Sequence, residues 1–309
     1  MAKNTRRHLD QKTARKLSDL AHLAFIEALT HVADLSPRQL AFHGGTSLHL
    51  SWKSPRFSED LDFLLDRAQR PVIEKMMRKI ETRMRSVMRN RHPDLEPNVR
   101  ISDKTREGDN LLNYRVTVSS PRLIGNVKVK AEFWQVDSDY LRHYDTRFAY
   151  PLQGGDLVTS VSQPLPAASL EAAYADKLTA FATRRFLKWR DVFDTWWIGR
   201  QIEIDPARMA DRFLHHVTAF DTVEGLSPEE ALRRFLERTP EEIGSEADPD
   251  LKRWLPGDLW NRLSGPGIAE IIETVRTSIE AIAAEIEARN AAPREEEMES
   301  DANTPDIGA

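Results

Sequence analysis

The stretch QLAFHGGTSLHLSWKSPRFSEDLDFLL, residues 39–65, leaves few folds open to this chain. QLAFH has the length and apolar content of a strand, and Gly44-Gly45 ends it with the backbone freedom a tight turn requires. A short helix over about residues 46–53 follows, and Pro55 closes it before a second strand from Glu59 to Leu65. Successive strand residues face opposite ways, so Leu61 and Phe63 point to a core while Asp60 and Asp62 stand together on the other face. Folding alone does not ask for that pair. Two close carboxylates repel each other and raise one another's pKa unless a cation lies between them.

Periodicity supplies the layers around this unit. Leu17, Leu20, Ala24, Phe25, Ala28, Leu29 and Val32 predict an amphipathic helix over 10–34. Val72, Met76, Ile80, Met84 and Val87 predict the stripe of another, over about 71–91. Between 96 and 161 the period falls to two. NVKVKAEFWQ places Val127, Val129, Ala131 and Phe133 on one face, and Lys128, Lys130, Glu132 and Trp134 on the other. Gly154-Gly155 and the Pro164/Pro166 stretch mark the end of this mixed region. From Ala167 onward the pattern is helical, over 167–185, 188–200, 206–219, 228–238 and 267–291. The expected organisation is an α+β domain over residues 1–165 with an N-terminal helix, a helical domain over 166–292 contributing to the cleft, and a disordered acidic tail over 293–309.

Composition removes several chemistries. With no cysteine among 309 residues there is no disulfide, thiolate zinc site or cysteine nucleophile, which fits a reducing compartment. No apolar run reaches membrane-spanning length and the basic N-terminus has no signal-peptide block, so a cytoplasmic protein without a membrane partner is expected. The net charge of −5 resides in the tail: from Arg294 to Ala309 there are six acids and one arginine. The rest is neutral but uneven. Residues 1–16 hold six Lys/Arg against Asp10, and Arg67 to His92 hold nine against Glu74 and Glu81. Such segments suit a polyanionic partner and equally suit solvated helix faces.

A hard divalent ion, Mg²⁺ above all or Mn²⁺, accepts oxygen ligands like Asp60 and Asp62 and keeps positions for water and phosphate oxygens. Upstream, the backbone N–H groups of Gly44 and Gly45 can approach an anion, and Thr46 and Ser47 can cap the helix whose positive end adds to the site. Phosphate on one loop and metal on the next strand is the arrangement of a metal-assisted phosphoryl or nucleotidyl transfer. Arg56 is placed either to reach a phosphate bidentately or to hold a carboxylate ligand, and Ser58 to hydrogen-bond the loop. Glu132, on the polar face of its strand, is the candidate third carboxylate, as metal ligand or as base; pairing with a neighbouring lysine or arginine is the alternative. His43 reads as a satisfied strand-end histidine.

GGTSLHLSWKSPRFSEDLDF resembles the signature of the nucleotidyltransferase-fold superfamily, and the R-x-S-x-D-x-D-F spacing of Arg56, Ser58, Asp60 and Asp62 resembles its AbiEii/AbiGii, MenT-like toxin branch. A second resemblance lies in SLEAAYADKLTAFATRRFLKWRDVFDTWWI, residues 169–198, through Lys177, Arg185, Arg190, Asp191 and Asp194. The resemblance implies a nucleotidyltransferase-like mixed sheet with flanking helices and an NTP-dependent, pyrophosphate-releasing enzyme. It also implies a toxin whose acceptor is the 3′ end of tRNA, with translation blocked as the outcome and a cognate antitoxin as partner. It carries catalytic roles to Lys177 and Asp191 beside the Asp60/Asp62 pair, with Lys177 and Arg190 near the triphosphate. The basic helix 71–91 and the N-terminal arm would suit an RNA backbone. Two rivals remain on the sequence: an acceptor hydroxyl on a protein or small molecule, and a silent nucleotide- or partner-binding module.

Overall fold

The computed structural model describes residues 6–153 and 159–291. Gly154-Gly155 and the acidic tail lie outside the described residues. Its frame is a seven-stranded mixed sheet. In chain order the elements that position the site are α1 (Gln11–Val32), β1 (Leu40–His43), α2 (Gly44–Trp52), β2 (Asp60–Asp66), α3 (Arg70–Arg91), β3 (Asn98–Asp103), β4 (Leu111–Ser119) and β5 (Asn126–Val136). Then come α4 (Ser138–His143), β6 (Thr146–Ala149), β7 (Leu165–Ala168), α5 (Leu170–Thr183), α6 (Trp189–Gly199), α7 (Pro206–Val217), α8 (Pro228–Glu237) and α9 (Pro266–Ala291). The strand order is β3-β4-β5-β2-β1-β7-β6, with β2 parallel to β5 and β1 parallel to β7. The mixed α/β architecture is the one the sequence resemblance implies.

Local chemistry fixes where several of these helices start. Asp10 caps α1 by accepting from the Thr13 amide at 2.8 Å, and Ser169 caps α5 by accepting from Ala172. Proline stands in the first turn of α3, α7 and α8, where its missing donor costs nothing.

Each face of the sheet has its own core. Leu40, Phe42, Leu61, Phe63, Val129, Ala131 and Phe133 pack beneath α1 and α3, with Phe63 and Phe133 stacked at 4.8 Å. Ala41, Leu64, Val136 and Ala168 face the other way, against α5 and the C-terminal helices. The α3 stripe is Ile73, Met77, Ile80, Met84 and Met88, so of the five residues expected there only Ile80 and Met84 are fully buried. Val72, Met76 and Val87 are half-buried beside it, and the buried line runs one residue further on at Ile73, Met77 and Met88. Because α3 lies on the Leu61/Phe63 side, the sheet stands between it and the Asp60/Asp62 face. Its outward cations therefore do not border those carboxylates.

A second departure is β7. Leu165–Ala168 is a strand, not the start of the helical region: it is parallel to β1 at Ala167 and antiparallel to β6. Among the described residues no helix is long and apolar enough to cross a membrane.

Candidate active site

The geometry follows from strand register. Asp62 lies directly opposite Glu132 across the parallel β2/β5 pair, and Asp60 lies opposite Lys130. Opposed residues share a face, so Asp60, Asp62, Lys130 and Glu132 form one patch at the end of β1 where α2 begins. Asp62 and Glu132 line a cavity of about 320 Å³ with Gly44, Lys177, Asp191 and Trp134. Asp60 is not among the lining residues; its carboxylate lies 3.5 Å from the Lys130 ammonium.

The two glycines are steric requirements. Gly44 has φ +74°, and a Cβ there would lie 2.4 Å from Asp62 Oδ2. A Cβ on Gly45 would meet the Arg56 guanidinium and lie 2.9 Å from Ser58 Oγ. The turn therefore seats its backbone against the second aspartate on one side and against Arg56 and Ser58 on the other. α2 begins at Gly44, so Thr46 and Ser47 lie inside its first turn rather than capping it: the Thr46 hydroxyl donates to the Asp60 carbonyl, and the buried Ser47 hydroxyl has no partner among the described residues.

Beneath the cavity lies a buried charge network. Arg56 is fully enclosed and grips Asp194 with two bonds of 2.6 Å, while its third nitrogen donates to the Phe57 carbonyl at 2.9 Å. Arg56 thus holds a buried carboxylate of α6 rather than either strand aspartate, and it is not among the residues lining the cavity. Asp194 also receives Lys177 at 2.8 Å, and Asp191 receives Lys177 at 3.0 Å and Arg184. Asp194 is thus partnered by Arg56 and Lys177 rather than by Arg190. Burial alone would discharge all these groups. The cations outweigh it and hold the Asp191 and Asp194 carboxyls below the usual range, and Asp194 and Asp191 in turn hold the Lys177 ammonium above its own.

Asp62 and Glu132 behave oppositely to Asp191 and Asp194. Burial first, and then the neighbouring acidic charges, raise the Asp62 and Glu132 carboxyls above their ordinary values. Asn113 donates to Glu132 at 3.1 Å and Lys130 approaches it at 3.8 Å, a partial compensation. Two under-compensated hard oxygen donors lining a cavity fit a divalent cation. Among the described residues no three His, Asp or Glu side chains converge to enclose an ion unaided, so an ion here would draw its remaining ligands from water and phosphate, as Mg²⁺ does.

Several lining residues escape sequence reasoning. Asp176 accepts from Tyr144 at 2.7 Å, from His216 at 2.9 Å and from His43 at 3.3 Å; burial opposes its ionisation, but the His216 and His43 bonds prevail and its pKa is lowered. His43 is accordingly a strand-end histidine with a partner, and it also lines the cavity. Arg184 lines the cavity where the sequence motif pointed to Arg185, whose guanidinium instead lies 5.7 Å from the Phe186 ring. Arg190 does not border the cavity and lies 6.0 Å from the Trp254 ring centre. On the far wall Trp134 stacks on Phe220 at 5.1 Å.

A two-carboxylate strand beside a glycine turn, facing a lysine-bearing helix across a cavity, places the protein in the nucleotidyltransferase class. The model of the AbiEii family, nucleotidyl transferase toxins of type IV toxin–antitoxin systems, matches residues 27–261, and the chain belongs to that family. Among solved structures it is similar to JHP933 from Helicobacter pylori, with TM-score 0.54 and 16% identity, covering 91% of this chain and 96% of that one. It is also similar to a putative nucleotidyltransferase from H. pylori, with TM-score 0.53 and 17% identity over 91% and 99% of the two chains. A third likeness is to MenT4, a nucleotidyltransferase toxin from Mycobacterium tuberculosis H37Rv, with TM-score 0.53 and 16% identity over 87% and 94%. At these identities the likenesses speak for the fold. No curated protein matches the chain.

Proposed function

We propose that this toxin transfers a nucleoside monophosphate from an NTP to the 3′-terminal hydroxyl of tRNA in a Mg²⁺-dependent reaction, and so blocks translation in the cytoplasm until its antitoxin intervenes. The observation that carries the reading is the facing of Asp62 and Glu132 on adjacent strands, with the Gly44 backbone pressed against Asp62 and Lys177 across the cavity. Asp60 and Asp62 would hold the ion, with Glu132 beside them, and the ion would supply positive charge against the phosphates. The turn at Gly44 and Gly45, with the N-terminal end of α2, receives the triphosphate. Lys177 and Arg184 present positive charge to it, and Asp191 orients both. The stacked Trp134 and Phe220 offer the base an apolar wall.

The acceptor oxygen forms a bond to the α-phosphorus as the bond from that phosphorus to pyrophosphate breaks. Glu132, half-buried opposite Asp62 and raised first by that burial and then by the Asp62 charge, takes the hydroxyl proton and passes it to solvent. Total tRNA incubated with each NTP and Mg²⁺ should gain the mass of one or more NMP units. Unchanged tRNA beside labelled protein would replace the acceptor in this account with a protein hydroxyl, and no label anywhere would leave a silent binding module.

A further inference from the structure

Register places the charges outside the cavity as clearly as those within it. On the Asp60/Asp62 face, Ser102, Arg115, Lys130 and Asp60 form one transverse row across β3, β4, β5 and β2. The next row outward is Arg100, Thr117 and Lys128, and the next inward is Asn113, Glu132 and Asp62. This face thus grades from the apolar Trp134 end, through the carboxylates, to cations. Arg100, Arg115 and Lys128 are exposed, and among the described residues none has a carboxylate within ion-pair distance. The three rows contain no acid besides Asp60, Asp62 and Glu132.

An ordinary solvated strand face mixes both signs, which limits self-repulsion. Here one sign is collected on a rigid platform that starts beside the reaction centre. Strand spacing puts Arg115 about 10 Å from the Asp60 backbone, and Lys128 lies one row, about 7 Å, further out. A strand reaching the cavity with its terminal hydroxyl would carry its preceding phosphates over these side chains.

We propose that the open face of β3, β4 and β5 is the docking platform for the phosphate backbone of a single-stranded nucleic-acid end, held by Arg100, Arg115 and Lys128. The proposal rests on the acceptor reading above and adds where the acceptor lies. Contacts of this kind fix position without reading sequence, and each one adds to the salt dependence of binding.

The test is anisotropy titration of a fluorescent RNA bearing a free single-stranded 3′ end, over a salt series, with the full chain. The triple variant R100A/R115A/K128A should bind about tenfold or more weakly, and the slope of log affinity against log salt should become shallower by about 2. Its circular dichroism and melting midpoint check the fold. The charge-preserving triple R100K/R115K/K128R should restore affinity and slope, and so should leaving the sheet intact while changing Lys75, Arg78 and Lys79 on α3 to Ala. Wild-type affinity and slope in the alanine triple would overturn the platform, as would an equal loss in the α3 variant. So would a triple that loses transfer to a protein acceptor while RNA binding stays unchanged. If wild-type protein modifies no RNA at all, the acceptor reading fails instead; if it modifies RNA and the alanine triple binds normally, only the platform fails.

Discussion

Asp194→Asn probes the buried network that fixes Lys177. Asp194 is fully buried and accepts two bonds from Arg56 at 2.6 Å and one ion pair from Lys177 at 2.8 Å. The amide removes one negative charge and turns one acceptor into a donor facing a cation. Arg56 then loses its ion-pair partner and Lys177 keeps only Asp191, and breaking a buried pair by altering one partner costs about 3–5 kcal/mol. With an unfolding entropy of about 2.1 cal/mol/K per residue, a chain of this length should lose about 5–8 °C of Tm. Urea denaturation should report the same loss with an unchanged m value. The loss is conditional on pH. The Asp191 and Asp194 pKa values are lowered by folding, so their stabilisation is complete above the unfolded value of about 3.9 and disappears as pH falls through the folded values. The gap between wild type and Asp194→Asn should therefore be widest near neutrality and close in acid. A Tm within about 1 °C of wild type at pH 7 would refute the claim that this network is a structural clamp.

Asp62→Asn should do the reverse, abolishing transfer while raising stability by about 0.5–2 kcal/mol at pH 8, the exchange seen when a strained functional group is relieved. The sign follows from the raised Asp62 pKa: the penalty is absent below the unfolded value of about 3.9 and complete above the folded one, so the gain measured by thermal melts should vanish in acid. Gly44→Ala should eliminate transfer in a folded protein, because its Cβ would fall 2.4 Å from Asp62 Oδ2 at a backbone φ of +74° and costs about 1–2 kcal/mol of strain; normal kinetics would contradict the close-approach argument. Arg184→Ala should raise the KM for NTP about tenfold or more while Arg185→Ala leaves it unchanged, since only Arg184 lines the cavity; equal effects in steady-state assays would sink that distinction.

What the sequence disclosed was what depends on neighbours along the chain. The glycine turn, the alternation through Asp60 and Asp62 and the face of Glu132 are period-two facts, and the structure places Asp62 and Glu132 in register as partners. The five helices α5 to α9 emerged from apolar spacing with ends within three residues of those observed, whereas the short helices Pro240–Ser245, Ala247–Leu251 and Gly257–Leu263 did not. What stayed hidden needed distance. Arg56 and Asp194 are 138 residues apart, and Asp176 and His43 are 133 apart; no local pattern ties either pair. Arg184 and Arg185 are equivalent on paper, and only the extended backbone at the end of α5 turns the first toward Asp191. Strand β7 was concealed by prolines that ordinarily mark a break, in a segment too short to display alternation.

The central claim is that Asp60 and Asp62 jointly support transfer of a nucleotide to RNA. Intact-mass measurement of tRNA after incubation with each NTP and Mg²⁺, for wild type and for the Asp60→Ala/Asp62→Ala double variant, tests it most directly. The account requires NMP-sized additions by the wild type that vanish in the double variant and on chelation of the metal. Additions that persist in the double variant, at wild-type extent, would contradict it.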